Sequence, residues 1–382
     1  MFSARTQIPQ MPNSLAERLS ELRAAGIPVV DLTLSNPTDS GLFEDHSWIR
    51  QLAQPQSAIY RPEPFGLESA RVAVACAYGN KGISIDPTQV VLCASTSEAY
   101  SFLFKLLTDP GDVVLFPRPS YPLLEHLAAF EQVRLAHYAI HYDGSYYIDT
   151  DSVRNALGER CKAIVLVSPN NPTGSCTSLE ELASLSECQV PLISDEVFAD
   201  YPLQASHPPI PSVLLAQSNL VFSLGGLSKS AGLPQLKLAW IVVGGPVELR
   251  RQALSRLELI CDTFLSLNTP VQVALPQLLD LGLQRQARIR QRLLRNHAEL
   301  ARLLESSPIS VRSSQGGWTV VLQLPNVSID DWSLRLLTEA HVLVQPGWFY
   351  DDSQEGIIVV SLLTPENQFI EGISRLVGAV SR

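Results

Sequence analysis

The sequence predicts an α/β protein with a large domain built on a mostly parallel sheet flanked by helices and a smaller α+β domain. From about residue 89, short apolar runs alternate with amphipathic stretches, and after about residue 275 the pattern changes to charged helix and alternating strand. Apolar runs without polar alternation suit strands covered on both faces, and their alternation with helices is typical of a parallel sheet. A chain of 382 residues also exceeds the size at which one core usually keeps growing, so we expect two domains.

The apolar runs give the predicted strands of the large sheet. They are residues 90–93, 113–116, 163–167, 191–193, 220–223 and 239–243. Further on, the pattern predicts a helix at 285–304, a strand at 317–324, a helix at 330–341, a turn at 345–350, a strand at 356–363 and a final helix. A helix at 13–25 and an extended segment ending in SNPT suit the smaller domain. We therefore predict a large domain of residues 41–275 and a small domain of residues 1–40 and 276–382.

Composition excludes several classes of partner. The formal charge of −10 would repel a phosphate backbone and argues against nucleic acid. The chain has neither the run of about 18 apolar residues that crosses a bilayer nor a cationic start followed by an apolar stretch, so we expect a cytoplasmic protein without a membrane partner. The cysteines are scattered singly, and His137 and His141 lie in an alternating stretch typical of a solvated strand face. We expect no metal site.

Polar groups follow two of the predicted strands, at the edge where parallel sheets bind ligands. Lys229 lies in GGLSKSAGL among small residues. A lysine so placed loses solvation, which lowers its pKa and frees the neutral amine to form an imine with a carbonyl; an exposed loop lysine is the alternative. Asp195 ends PLISDE, where a carboxylate could keep a pyridine nitrogen protonated by ion pairing. A helix N-cap is the alternative for this residue.

Two further clusters follow strands in the same way. SPNNPTG at 168–174 predicts a tight turn, yet its two adjacent asparagine amides offer more donors and acceptors than a turn needs. Ser95, Thr96 and Ser97 precede a predicted helix at 98–107, so their amides and hydroxyls suit a phosphate at the positive end of a helix dipole. An ordinary N-cap explains this second cluster equally well.

These clusters belong to a longer series of motifs that covers nearly the whole chain. The series is Tyr60 through Gly66 to Arg71, the cluster at 95–97, PGD at 110–112, PSYP at 119–122, SPNNPTG at 168–174, SDEVF at 194–198 and SKSAGLPQLK at 228–237. In order and spacing it resembles the aminotransferase class I/II family, the enzymes of fold type I that depend on pyridoxal 5'-phosphate (PLP). The resemblance implies that fold and that cofactor.

The resemblance also implies a role for each matching residue. Lys229 would form the Schiff base with the cofactor, the internal aldimine, and later move protons between the substrate Cα and the cofactor C4′. Asp195 would pair with the pyridine nitrogen, Asn171 would hydrogen-bond the phenolic oxygen, and Tyr121 would stack on the ring. The phosphate would be held by Ser95, Thr96, Ser97, Ser228, Lys237 and, from the neighbouring subunit, Tyr60. Such a shared site implies a homodimer.

Three departures from the family pattern concern the site. At Phe198 the family commonly has a tyrosine that also donates to the phenolic oxygen, which phenylalanine cannot do. At Lys237 it usually has an arginine, so a point charge replaces a bidentate fork on the phosphate. In GIIVVSLLTP, Val359 stands where many members carry an arginine that grips the substrate α-carboxylate. Asn171, the backbone near Ser35 and Asn36, or another cation are then the candidates to anchor that carboxylate.

The sequence therefore predicts an aminotransferase that moves an amino group from an amino acid or amine donor to a keto or aldehyde acceptor. A PLP-dependent lyase, replacement enzyme or carbon–carbon bond-forming enzyme on an atypical amino acid is the alternative, since the same cofactor chemistry serves all of these reactions. A regulatory protein that keeps the fold without turnover is a third possibility, but the roughly 40 residues before the predicted large domain leave little room for a DNA-binding unit. The spacing of a P-loop is not met by GGLSKS.

Overall fold

The strands of the computed structural model form sheets of eight, four and two strands. The structure describes residues 2–6, 13–203, 210–325, 332–352 and 354–381. Its strands are β1 (Val30–Asp31), β2 (Val90–Cys93), β3 (Val113–Arg118), β4 (Arg134–Tyr142), β5 (Tyr146–Ile148), β6 (Cys161–Val167), β7 (Leu192–Asp195), β8 (Val221–Gly226), β9 (Ala239–Gly244), β10 (Ser310–Val311), β11 (Thr319–Gln323), β12 (Val342–Leu343), β13 (Gln345–Pro346) and β14 (Ile357–Ser361).

Helices cover the sheets and connect their strands. They are α1 (Ser14–Ala24), α2 (Glu68–Gly79), α3 (Thr96–Leu107), α4 (Leu123–Phe130), α5 (Thr150–Ala156), α6 (Leu179–Ser186), α7 (Leu227–Ser230), α8 (Val247–Phe264), α9 (Thr269–Leu304), α10 (Trp332–Arg335) and α11 (Glu366–Val380), with a π-helical turn at Leu336–Ala340. Within the described residues, none of the helices combines the length and the apolar character that a membrane span needs.

The eight-stranded sheet has the order β2-β9-β8-β7-β6-β3-β4-β5. Neighbours from β8 to β4 run parallel, while β9, β2 and β5 pair antiparallel. Every residue of β2, β8 and β9 is buried, because alternate side chains enter apolar clusters on opposite faces of the sheet. The predicted strands are confirmed with shifts of at most a few residues at their ends, and so is the mostly parallel sheet.

This topology brings the predicted polar clusters to one edge. The parallel strands β6, β7 and β8 end together, and β9 runs antiparallel to both β8 and β2, so the carboxyl end of β2 lies at the same edge. Asp195 ends β7, and the segments that follow the other three strands contain the turn at 168–174, Lys229 and the cluster at 95–97. The strand order therefore places the candidate residues in one crevice.

The remaining elements pack around a second core. The antiparallel sheet has the order β10-β11-β14-β13, and β1 pairs in parallel with β12. Leu15 and Leu22 of α1 pack against Leu337 and Leu343, so the N-terminal segment contacts the C-terminal elements.

Two predicted helices differ from the structure. The helix predicted at 285–304 begins at Thr269, capped by Asn268, and is one helix of 36 residues that contains Pro276. Because α9 runs through the predicted boundary at 275, the division into two domains stays a prediction. The helix predicted at 330–341 is described from Trp332 onward as α10 and the π-helical turn; residues 330 and 331 lie outside the described residues.

Gly66 joins the segment that contains Tyr60 to α2. Its backbone is left-handed, with φ +84°, and an added Cβ would lie 2.7 Å from Leu92 Cδ1 and 2.9 Å from Gln272 Oε1. That same Gln272 oxygen accepts a hydrogen bond from the Leu67 amide at 2.7 Å. Both the backbone conformation and the lack of space therefore require glycine here.

We expect Gly66→Ala to lower the free energy of unfolding by about 3 kcal/mol, as the sum of left-handed strain and overpacking. Gly26→Ala is the matched control, because Gly26 has φ +69° but nothing within 4 Å of an added Cβ. This control should lower the free energy of unfolding by only about 1 kcal/mol. Urea unfolding of both variants measures the difference, and equal losses would show that the contacts around Gly66 adapt without cost.

Candidate active site

Lys229 lies on α7, directly after β8, and its side chain is partly buried. Its Nζ donates to the Ser35 carbonyl oxygen at 3.4 Å and lies 4.7 Å from the ring centre of Trp318 and 5.5 Å from that of Phe198. Burial lowers the pKa of Lys229 to about 8, against the attraction of Asp195, which raises it. A neutral amine is therefore available close to neutral pH, as a nucleophile requires.

Side chains from other segments of the chain bind the backbone of α7, the short helix that bears Lys229. Arg285 of α9 donates from Nε to the Ala231 carbonyl at 2.7 Å and from Nη2 to the Gly232 carbonyl at 3.1 Å. The Arg285 guanidinium also lies 3.5 Å from the ring centre of Phe43, and Tyr201 Oη donates to the Lys229 carbonyl at 2.5 Å. These bonds satisfy carbonyl groups that a helix end leaves free, and they fix the position of α7.

Asp195 ends β7 beside the strand that leads to Lys229. Its Oδ1 accepts from the Val197 amide at 3.2 Å and its Oδ2 from Tyr100 Oη at 3.4 Å. Burial raises the pKa of Asp195 to about 6, although these hydrogen bonds and Lys229 lower it. The carboxylate is therefore anionic but poorly solvated at neutral pH and suits a cationic partner. The chain forms a turn and no helix directly after Asp195, so the bond to the Val197 amide closes a turn and the N-cap alternative is wrong.

A buried network next to Asp195 was missed by the sequence analysis. The carboxylate of Glu196 accepts from Ser212 Oγ, Ser223 Oγ and the Val213 amide, each at 2.8 Å. Tyr78 Oη lies 3.0 Å from Ser223 Oγ and extends the network to α2. Burial raises the pKa of Glu196, and its charge raises that of Asp195. The one sequence signal for this electrostatic effect was that the two acidic residues of SDE are adjacent.

The two asparagines of the turn at 168–174 have different roles. Asn170 Oδ1 accepts from the amide and hydroxyl of Thr173, at 3.3 and 3.0 Å, and so stabilises the turn. Asn171 Oδ1 is buried and has no hydrogen-bond partner among the described residues. Thr319 Oγ1 donates to the Pro172 carbonyl at 3.0 Å, which brings β11 against the turn. Asn171 is therefore free to bind a ligand.

The predicted phosphate cluster lies at the N-terminus of α3. Ser95 is the N-cap, since its Oγ accepts from the Glu98 amide at 3.2 Å, as the alternative interpretation predicted. The hydroxyls of Thr96 and Ser97 make no hydrogen bond within the part of the chain that the structure describes. Their amides and hydroxyls, at the start of a helix of 12 residues, remain suited to an anion.

The three other predicted phosphate ligands, Ser228, Lys237 and Tyr60, are partly or fully exposed. Ser228 is partly buried on α7. Lys237 is exposed, with a left-handed backbone at φ +49°, and its Nζ has no partner among the described residues. Tyr60 is 73% exposed, so its side chain is accessible to another chain.

The predicted ring-stacking and substrate residues lie on several elements. Tyr121 is 44% exposed and contacts Phe349 edge to face, with ring centres 6.1 Å apart. Val359 is 1% exposed and packs with Val321, Ile357 and Tyr350. Asn36 uses its amide locally, accepting from the Thr38 amide at 3.1 Å and donating to Asp39 at 2.8 Å. Of the segment 35–36, the Ser35 carbonyl is the group that contacts Lys229.

One cluster outside this crevice combines possible metal ligands. Among the described residues, ligand atoms of Glu125, His137 and Asp351 lie within 4.8 Å of one another. Asp351 is already ion-paired with Arg118. We assign no metal to this cluster.

The family model for aminotransferase class I and II matches residues 27–368, so the chain belongs to this family, as predicted. Nicotianamine aminotransferase B of Hordeum vulgare is 31% identical over 230 residues, which are 57% of this chain and 41% of the barley protein. Glutamate-pyruvate aminotransferase AlaA of Haemophilus influenzae is 29% identical over 262 residues, 66% of this chain and 64% of that protein. The chain thus spans less than two thirds of these curated relatives.

Solved structures agree with the fold. Alanine aminotransferase from Pyrococcus furiosus superimposes with a TM-score of 0.87 at 24% identity and covers 100% of both chains. Aspartate aminotransferase from Thermus thermophilus, as a single mutant, gives a TM-score of 0.85 at 23% identity and covers 99% of both chains. These likenesses confirm the predicted fold type I.

We expect the reactivity of Lys229 to follow the lowered pKa. In the cofactor-free protein, modification of Lys229 by an acylating reagent should rise with pH and reach half its maximum near pH 8, because only the neutral amine reacts. Asp195→Asn should move this midpoint to lower pH, since the carboxylate favours the ammonium form. Mass spectrometry of the Lys229 peptide at each pH provides the measurement. A midpoint near the ordinary value of 10.5 would contradict the burial of this amine.

Proposed function

We propose that this protein is a PLP-dependent aminotransferase that moves an amino group between an amino acid or amine donor and a keto or aldehyde acceptor. The observation that carries the proposal is the Lys229 amine, with a pKa of about 8, beside the Asp195 carboxylate where β7 and β8 end. Family membership supports amino-group transfer, and the names of the relatives do not favour the lyase alternative.

The residues of the crevice fit PLP. When bound, this cofactor supplies an aldehyde that condenses with an amine and a pyridinium ring that withdraws electrons from the substrate Cα. Lys229 supplies the amine and then holds or moves the Cα proton. Asp195 keeps the pyridine nitrogen protonated, since a poorly solvated carboxylate favours a cationic partner.

The amide of Asn171 suits the phenolic oxygen of the ring. Its buried Oδ1 has no partner among the described residues, and rotating the amide by half a turn places Nδ2 as a donor at the same point. Phe198 has no hydroxyl to share this task, so Asn171 is the donor that the turn at 168–174 supplies. Tyr121 is 44% exposed, so its ring is accessible to stack on that of the cofactor.

The start of α3 suits the phosphate. We assign to it the amides at 95–97 and the hydroxyls of Thr96 and Ser97, with Ser228 and Lys237 as further donors. The Ser95 hydroxyl already caps the helix, so its own part in phosphate binding is through the backbone.

We also propose a cytoplasmic homodimer in which Tyr60 completes the phosphate site of the partner. Large apolar side chains that are exposed in the single chain support an interface near Tyr60. Ile59, which precedes Tyr60 in the chain, is 51% exposed, and Leu265, which lines the same surface pocket as Tyr60, is 38% exposed. Exposed apolar groups of this size are typical of surfaces that another chain covers.

A donor and acceptor panel tests the activity. We expect the PLP-loaded protein to absorb visible light and to form a new amino acid only when both an amino donor and a 2-oxo acid are present. Lys229→Ala should abolish both signals, because no amine remains to condense with the cofactor. Lys162→Ala, at the opposite end of β6, is the control and should keep both. Product formation without an acceptor would indicate a lyase instead.

The shared phosphate site predicts complementation between variants. Lys229→Ala and Tyr60→Phe chains, each impaired alone, should recover part of the activity when mixed, because one site of each heterodimer has neither change. Native mass spectrometry of differently tagged chains verifies that they exchange. No recovery despite exchange would contradict a Tyr60 contribution across the interface.

A further inference from the structure

The indole nitrogen of Trp318 is a buried donor without a hydrogen-bond partner among the described residues. Trp318 is 3% exposed, and its Nε1 makes no hydrogen bond within them. An indole nitrogen can only donate, and a buried donor without an acceptor is unfavourable. The aromatic neighbour Phe198, with its ring centre 5.4 Å away, has no polar atom, and the nearby Tyr201 hydroxyl donates to the Lys229 carbonyl. The indole therefore suits a ligand that brings an acceptor.

The indole ring that carries this donor lies beside the reactive amine. The ring centre of Trp318 is 4.7 Å from Lys229 Nζ, where the amino group of a donor must also react. In an α-amino acid the carboxylate carbon is only two bonds from the amino nitrogen. The carboxylate of a reacting donor must therefore lie within the reach of groups that surround Lys229 Nζ, and Trp318 is one of them.

The position at which a cation was expected cannot provide this contact. Val359 is 1% exposed and lies beside Val321 in the sheet, packed with Ile357 and Tyr350. A carboxylate placed there would meet only hydrocarbon, which is strongly unfavourable.

Arginines on adjoining segments already have other partners. Arg312, which directly follows β10, donates to Gln323 and Gln354 at 2.8 and 2.6 Å and lies 3.9 Å from Asp352. Arg285 is bonded to the carbonyls beyond α7, and Arg118 is paired with Asp351.

We propose that the indole N–H of Trp318 binds the α-carboxylate of the amino donor, an inference that rests on the proposed function. In this contact an uncharged donor, the indole N–H, binds a charged acceptor, the carboxylate. Trp318 is thereby a specificity-determining residue. It selects amino acids over amines that lack the carboxylate.

Binding of two inert ligands to the PLP-loaded protein tests this contact. 2-Methylalanine has no Cα hydrogen to lose, and tert-butylamine has a methyl group in place of its carboxylate. By titration calorimetry, wild type should bind 2-methylalanine at least tenfold more tightly than tert-butylamine, as expected for a hydrogen bond to a charged group. Trp318→Phe keeps an aromatic ring but removes the N–H. This variant should bind 2-methylalanine about tenfold more weakly than wild type, while its affinity for tert-butylamine should not change.

Trp332→Phe is the matched control, because Trp332 is 5% exposed and belongs to the same apolar cluster. This variant should keep the preference of wild type. The proposal is overturned if wild type shows no preference for 2-methylalanine or no measurable binding of it. It is equally overturned if Trp318→Phe retains the preference of wild type, or if its affinity falls by the same factor for both ligands. An intact preference without turnover in the donor panel would instead contradict the proposed aminotransferase function.

Discussion

The electrostatic attraction between two partly buried groups, the amine of Lys229 and the carboxylate of Asp195, is the interaction on which the site depends. Burial acts on the two groups in opposite directions, lowering the pKa of Lys229 to about 8 and raising that of Asp195 to about 6, while their attraction opposes both shifts. The pair exists because β7 and β8 are parallel neighbours, so the segments after them meet at one edge. Both groups are thereby placed where a cofactor with an aldehyde and a basic ring nitrogen would use them.

That position is maintained by contacts between segments far apart in the sequence. Arg285 binds the carbonyls that follow α7 and lies against Phe43, while the Ser35 carbonyl accepts from Lys229 itself. The aromatic side chains of Trp318 and Phe198 contribute the apolar surface around the amine. The low polarity near Lys229 is thus a property of the assembled fold and not of the motif GGLSKSAGL.

This distinction explains how much could be predicted from the sequence. The strands and the polar groups that follow them are local signals, so apolar runs predicted the sheet and made Lys229 and Asp195 candidates, whereas the choice of Asn171 came from the resemblance to the family. The two acceptors of Arg285, and the lack of a partner for the Trp318 indole among the described residues, depend on tertiary contacts that no local pattern records. The start of α9 at Thr269 was missed because its first half is apolar and contains Pro276, which conceals the amphipathic pattern seen after residue 285. Ser95 shows a further limit, since a helix cap and a phosphate ligand share one sequence signature.

The uninterrupted course of α9 has a mechanical consequence. At 1.5 Å per residue its 36 residues form a rod about 54 Å long, which contacts α2 near one end and α11 near the other. Arg285 lies near the middle of α9 and donates a hydrogen bond to the Ala231 carbonyl, in the segment after Lys229. Because Arg285 bonds the carbonyls of Ala231 and Gly232, the position of α9 constrains the backbone that follows Lys229. Leu293 of the same helix packs with Val320 and Ile358 of the four-stranded sheet, so the packing of that sheet and the backbone position of Lys229 are linked through α9.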